Sequence, residues 1–195
     1  MKLKMHVLEP LFQFVNNISP ISRETKKMLE SIFKQKHLKK GEVFIDAGVY
    51  AREMGFLKSG ILRAFYRTDD GKEYNKHFFI EPCFIGGYAS FISGQPNQII
   101  QEALTDCEVW VADYAKLTSL YDSHPDLERM SRKLAEHFFV QKEKREVEIV
   151  LLDADKRYAI FQKQFPDLEQ QIPQYHIASY LGITPTQLSR IRKQK

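Results

Sequence analysis

The stretch from Pro173 to Lys193 leaves few folds open to the segment that carries it. Pro173 suits the first position of a helix, where proline loses no hydrogen bond, and Ile177, Ala178 and Leu181 then fall on one helical face. Gly182 follows at once, where a left-handed residue ends a helix without a Cβ penalty. Thr184 is a good N-cap for a second helix, with Pro185 at its first position. Leu188 and Ile191 point back to the first helix. Thr186, Gln187, Ser189, Arg190, Arg192 and Lys193 are left facing outward. A small residue at the crossing, a glycine in the turn and a polar, basic second helix are what a DNA-reading helix-turn-helix requires. A plain helical hairpin with a solvated basic face has the same pattern, so the rest of the chain has to decide.

Charge favours the nucleic-acid reading. The formal net charge is +4, yet Lys156 to Lys195 alone carry +5 and the preceding 155 residues −1. Positive charge thus gathers around the two short helices, as phosphate neutralisation needs. No apolar run is long enough to span a membrane, and the N-terminus, Met1 to Pro10, lacks the apolar core of a signal peptide. The expected location is the cytoplasm. Cys83 and Cys107 are the only cysteines, too few for an iron–sulfur cluster, and the six histidines show no zinc-ligand spacing. Phosphate-loop, nucleophile-elbow and zinc-protease motifs are missing. The expectation is a chain with no catalytic residues, metal or cofactor.

Along the chain, Ser22 can cap a helix from Arg23 to about Lys36, with Met28, Leu29, Ile32 and Phe33 as its buried stripe. From Leu38 the period becomes that of strands. Short strands around 40–48, 55–67, 73–80, 98–104 and 108–112 are separated by Gly/Asp turns, of which Asp69-Asp70-Gly71-Lys72 is the strongest hairpin signal. Such spacing predicts an antiparallel barrel or jelly roll. A short helix over Tyr114–Tyr121 precedes a long one from about Asp126 to Leu152. The stripe Leu127, Met130, Leu134, Phe138, Gln141 and Arg145 reads as the seam of a two-stranded coiled coil between two copies. The alternative is a helix packed on its own barrel. Asp153-Ala154-Asp155 reads as a hinge before a helix over Lys156–Gln164.

That order of parts resembles the Crp/Fnr family of bacterial transcription regulators over nearly the whole length. The resemblance rests on Lys40-Gly41-Glu42-Val43-Phe44, Lys58-Ser59-Gly60, Gly86-Gly87-Tyr88-Ala89-Ser90-Phe91, Ala103 to Val109, Arg157-Tyr158 and the run Ile177 to Lys193. It implies an α+β fold with three parts: an antiparallel, cyclic-nucleotide-binding-like β-roll sensor over 1–122, a dimerisation helix and hinge over 123–153, and a helix-turn-helix domain over 154–195. It further implies a homodimer on a palindromic double-stranded DNA operator, with RNA polymerase as a further partner. Gln187, Ser189 and Arg190 are the expected base-reading residues, and Thr184, Thr186, Arg192 and Lys193 the phosphate contacts.

The ligand side departs from the family pattern. Where nucleotide-binding members have a glutamate for the ribose hydroxyl, the cassette has Gly87, and the loop Ser93 to Gln98 has no basic residue for a cyclic phosphate. A buried phosphate there would lack its charge partner, so cyclic AMP is not the expected ligand. Gly86, Gly87, Tyr88, Ser90, Phe91 and Asn97 are the candidate lining of a pocket for another effector; equally, the roll is a scaffold that binds nothing. Residues Phe165 to Ile172 are short for the paired strands of a DNA-binding wing, and the chain stops four residues past Ile191. Two rival readings are a ligand-binding or protein-interaction module with the same fold, and a cupin-type enzyme. The latter needs clustered histidines, whereas His77 stands alone among the strands.

Overall fold

The computed structural model describes residues 8–80 and 82–193. The stretch Met1–Val7, which carries most of the N-terminal segment judged against a signal peptide above, lies outside them. The elements are α1 (Glu9–Ile18), α2 (Arg23–Ile32), β1 (Lys34–Leu38), β2 (Val43–Ile45), β3 (Glu53–Ser59), β4 (Ile61–Arg67), β5 (Glu73–Ile80), β6 (Cys83–Ile85), α3 (Tyr88–Ser93), β7 (Ile100–Ala103), β8 (Cys107–Asp113), α4 (Tyr114–Thr118), α5 (Pro125–Leu151), α6 (Ala154–Gln164), α7 (Leu168–Gln171), α8 (Gln174–Leu181) and α9 (Pro185–Lys193). By internal contacts the chain divides into two compact units. The first joins the described residues up to Ala64 to Phe78–His137; the second joins Phe65–His77 to the residues from Phe138 onward. The division therefore cuts α5 within its length, and it assigns a hairpin of the strand region to the C-terminal helices.

The strands form two four-stranded sheets, ordered β1-β8-β3-β6 and β2-β7-β4-β5; all of the first and most of the second belong to the first unit, while the end of β4 and most of β5 belong to the hairpin of the second. The pairings of β1, β3, β6 and β8 in the first sheet are antiparallel. Alternation along the strands separates two cores. Leu38, Leu57, Leu62, Ile85, Ala103, Val109 and Val111 form one cluster. Phe56, Phe84 and Trp110, from the same strands, pack with Leu11, Phe12 and Val15 of α1 and Leu29 of α2. Phe14, Phe56 and Phe84 meet edge-on at 5.2–5.7 Å between ring centroids, the geometry aromatic quadrupoles favour. Gly60 has a φ of +102°, and a Cβ there would strike Asp106 O and Cys107 Sγ, so the tight turn between β3 and β4 needs glycine.

The start of the chain differs from the sequence-based expectation at α2 and α1. Ser22 does cap α2, its hydroxyl accepting from Thr25 N at 3.1 Å. The helix ends at Ile32 rather than near Lys36, because Phe33 turns extended and Lys34–Leu38 pair with β8 from Val111 to Cys107. Helix α1 was not expected; Leu11 and Phe12 precede Val15 by four and three residues, and all three side chains are buried on one helical face.

Helix α5 holds 27 residues, about 40 Å at 1.5 Å per residue. Here the expected dimer seam requires correction. Leu127, Met130 and Leu134 are 0, 4 and 8 % exposed and belong to the first unit's own core with Phe12, Phe56 and Trp110. They cannot pair with a second copy without emptying that core. A second stripe of α5, roughly 110° round the helix at 100° per residue, carries Val140, Val147 and Leu151, which are 46, 55 and 72 % exposed. The helix is apolar on two stripes, and the one that spacing picked out begins in the first unit's own core.

The second unit has a small core of its own. Tyr158, Phe161, Phe165, Leu168, Ile172, Ile177, Ala178, Tyr180, Leu181 and Leu188 are all buried. Phe161, Phe165 and Tyr180 form a three-ring cluster with centroids 5.5–5.8 Å apart. Arg145, also read as a seam residue, turns into this unit instead. Its guanidinium lies 4.0 Å from the centre of the Tyr180 ring, donates to Tyr180 O and pairs with Glu148 at 3.2 Å, so its charge is met by an aromatic face, a helix-end carbonyl and a carboxylate. Gln141 is exposed and Phe138 is 41 % exposed.

Candidate nucleic-acid interface and sensor cassette

The helix pair α8–α9 is built by local rules. Pro173 stands as the N-cap of α8 with an extended ψ of 140° rather than as its first helical residue; its own φ fits either place. Ala178 is fully buried. Gly182 adopts φ 69° and ψ 33°, and the bonds Gly182 N to Ser179 O (3.1 Å) and Ile183 N to Ala178 O (3.0 Å) close the helix on that left-handed residue. Thr184 and Gln187 then form a reciprocal capping box. Gln187 N donates to Thr184 Oγ1 at 3.2 Å, and Thr184 N donates to Gln187 Oε1 at 2.9 Å. Leu188 is buried at 1 % exposure and anchors α9.

This geometry sorts the seven predicted DNA-contacting residues. Thr186, Ser189, Arg190 and Lys193 lie exposed on α9. Thr184 and Gln187 are exposed as well, but their side chains hold each other, so Gln187 meets a base only by leaving its cap. Arg192 pairs with Glu169, Nη2 to Oε1 at 3.2 Å. Glu169 in turn accepts from the Tyr158 hydroxyl at 2.8 Å. Burial, followed by that hydrogen-bonded carboxylate, pushes the Tyr158 phenol up to about 12. Arg192 is therefore tied into the unit's own polar network. The segment expected to be too short for a wing holds the single-turn α7, entered through Asp167 at φ 62°. Among the described residues no strand follows Asp113.

The cassette brings five of its six predicted residues into the first unit's packing. Gly86 has a φ of +145°. Gly87 caps α3, and a Cβ on it would lie 2.8 Å from Ala51 Cβ and 2.9 Å from Ile45 Cδ1. A side chain at this position would therefore force Ala51, Ile45 or Asn97 to move. Ser90 is buried; it accepts from Ala51 N at 3.1 Å and donates to Gln95 O at 2.6 Å. Asn97 is buried and its amide donates to Asp46 O (2.9 Å) and Ile99 O (2.7 Å). Phe91 stacks on Tyr114 at 4.3 Å with planes 8° apart. Tyr88, the sixth, is 51 % exposed.

Gln101 is the residue that sequence reading missed. Its side chain is buried at 4 % exposure and clasps the cassette backbone from both sides. Gly86 N donates to its Oε1 at 3.0 Å, and its Nε2 donates to Gly86 O at 2.9 Å. Beside it on β7, Glu102 accepts from Arg63 Nε at 2.8 Å, and the Arg63 side chain is 7 % exposed. The signal was a pair of polar residues inside an otherwise apolar strand, Ile100-Gln101-Glu102-Ala103. His77 is a structural histidine: it lies edge-on to Phe165 at 5.8 Å. Burial, then the charges of Lys76 and Arg145, push its imidazole down to about 4.

Residues 35–124 match the family of cyclic nucleotide-binding domains. No curated protein matches the chain. Among solved structures, the c-di-GMP-responsive global regulator CLP of Xanthomonas campestris superposes with a TM-score of 0.70 at 17 % identity, over 89 % of this chain and 91 % of its own. FixK2 of Bradyrhizobium japonicum gives 0.72 at 16 % identity over 84 % of each chain. A protein of Eubacterium rectale described as a transcriptional regulator of the Crp/Fnr family gives 0.72 at 21 % identity, over 95 % of this chain and 87 % of its own. At these identities the likeness establishes the fold: an antiparallel β-roll, a long helix and a group of C-terminal helices.

Proposed function

With a domain of the cyclic nucleotide-binding family at residues 35–124 and the fold of Crp/Fnr regulators as the premise, we propose that the chain is a dimeric, sequence-specific DNA-binding transcription regulator whose sensor cassette does not take cyclic AMP. The observation that carries this reading is the capped helix α9, anchored by Leu188 and presenting Thr186, Ser189, Arg190 and Lys193 to solvent. A helix so held can enter a major groove, and the +5 charge of Lys156–Lys195 supplies phosphate attraction. Arg190 is the base-reading residue and Lys193 a phosphate contact. Two copies join through Val140, Val147 and Leu151, and bind the two halves of a palindromic operator in the cytoplasm, where RNA polymerase is the further partner. No step of this role is catalytic.

The test uses a palindromic duplex selected by the protein from a randomised pool. Affinity is expected to fall steeply between low and moderate salt, by counterion release. Arg190→Ala should weaken binding about 10- to 100-fold, the worth of one bidentate base contact. Salt-independent affinity, or an Arg190→Ala protein that binds as tightly as the parent, would sink the reading and leave a protein-interaction module in its place.

The cassette is the reason for excluding cyclic AMP. Gly86 N–H, a donor that could face a phosphate, already donates to Gln101. Arg63, the roll's deeply buried arginine, is already matched by Glu102, so an incoming anion would have to displace a desolvated carboxylate. The roll acts as a scaffold held shut by its own side chains. Cyclic AMP at millimolar concentration should leave the melting temperature unchanged, whereas a ligand at 100 times its Kd would add about 2.7 kcal/mol. A saturable rise in melting temperature would refute this part.

A further inference from the structure

Strand β5 stands at the end of its sheet, beyond β4, so among the described residues one side of its backbone has no strand neighbour. Edge backbones of this kind are normally paired, covered or blunted by charge. Within the second unit, the part of that edge in the hairpin Phe65–His77 is covered by α8. One hydroxyl does most of this: Ser179 Oγ accepts from Asn75 N at 2.9 Å and donates to Glu73 O at 3.1 Å. In a strand, residues two apart point their peptide groups to the same side, so Ser179 stands where the next strand's backbone would. The Asn75 side chain completes the joint, its amide donating to His176 O at 2.9 Å and lying 3.2 Å from His176 Nδ1. Asn75 and His176 are 7 and 5 % exposed, which shelters these bonds from water.

The joint leaves the outer face of α9 exposed while it grips α8. The chain passes between the two compact units at Ala64/Phe65, His77/Phe78 and His137/Phe138. The first two crossings are the two strands of this hairpin. We propose that Ser179 and Asn75 are positioning residues for DNA recognition: they fasten α8 to the edge of β5, so that within the second unit α9 is presented at a fixed place relative to the part of α5 that carries Val140, Val147 and Leu151. This rests on the DNA-binding role proposed above. It concerns presentation and not contact, because neither side chain lies on α9.

Positioning separates from folding by the number of half-sites engaged. A single half-site is read by one α9 and is indifferent to where that helix is held. A palindrome needs two at once, and a loosened second helix lowers the effective concentration of the second binding event. Ser179→Ala is expected to bind a single half-site duplex like the parent but the full palindrome about tenfold more weakly. The Asn75 amide should exchange its hydrogen at least about tenfold faster than in the parent, having lost its acceptor, while amides within α6 stay protected. Ser179→Thr, which keeps the hydroxyl, should restore both values. Equal losses on the two duplexes would show damage to the helix pair and overturn the proposal. So would an unchanged palindrome affinity in a protein whose parent binds DNA. If the parent binds no duplex at all, the DNA-binding role fails, and the positioning role falls with it.

Discussion

Val147→Asp will yield a monomer. The prediction follows from the two-sided character of α5. Its Leu127, Met130 and Leu134 are buried within the chain itself, so the surface left for a second copy is the other stripe. Val140, Lys144, Val147 and Leu151 recur there at the three- and four-residue intervals of a coiled-coil seam. Val150 and Leu151 are 79 and 72 % exposed, large apolar surface that a single copy leaves in water. An aspartate at 147 faces its own symmetry mate in a two-fold pair. Two carboxylates would then be desolvated against each other, which costs several kcal/mol, or about a thousandfold or more in the dimer Kd. Sedimentation at micromolar concentration should show one species at half the parent mass. The monomer should keep its fold, because Val147 is 55 % exposed in the single chain. Palindromic DNA should then be bound no better than a half-site. A Val147→Asp protein that remains dimeric places the seam elsewhere.

That correction shows what the sequence could and could not convey about α5. Leu127, Met130 and Leu134 recur at helical spacing whether their partner is a second copy or the protein's own barrel, because periodicity records a face and not what lies against it. The second apolar stripe was visible, but its Glu143 and Lys144 made the interval look solvated. Arg145 illustrates the same limit: spacing puts it on the seam line, although here its guanidinium covers the Tyr180 ring. The α8–α9 pair was legible almost to the residue, since Gly182, Thr184, Pro185 and Leu188 act through bonds within one turn of themselves. Gln187 was the exception. Outward position suggested base reading, yet a threonine three residues before a glutamine also spells a capping box, and the local bond prevails in the free protein.

The strands were legible as a class, through their turn spacing, but not the work of Gln101 or Asn75. Both are polar residues in strands whose meaning depends on a partner far along the chain: Gly86 for one, His176 and Ser179 for the other. No window of sequence holds both ends of such a bond. The glutamate missing at Gly87 was readable from the resemblance. That the space is filled by Ala51 and Ile45 was not.

Phe161→Ala is expected to unfold the C-terminal helices while the β-roll stays folded. Phe161 is 1 % exposed and contacts Tyr158, Phe165 and Tyr180, so its ring joins α6 to α8 at the centre of the second unit. Truncating a fully buried phenylalanine costs about 3–5 kcal/mol, through lost transfer energy and the cavity left behind. A unit of this size rests on one small core, and such cores rarely supply more than about 3–5 kcal/mol in all. The loss therefore matches the whole margin, where the same change in the larger first unit would spend only part of it. Hydrogen exchange should show α6, α8 and α9 at near-unprotected rates while β3 and β8 keep their protection. Phe161→Leu, which retains most of the volume, should cost less than about 1.5 kcal/mol and leave the helices protected. The Asn75 amide provides the decisive readout. Its acceptor, Ser179 Oγ, sits on α8, so it must lose protection together with that helix if the hairpin and the helix pair form one cooperative unit. Retained protection at Asn75 in an otherwise exchanging unit would show that the hairpin edge is held by something other than α8.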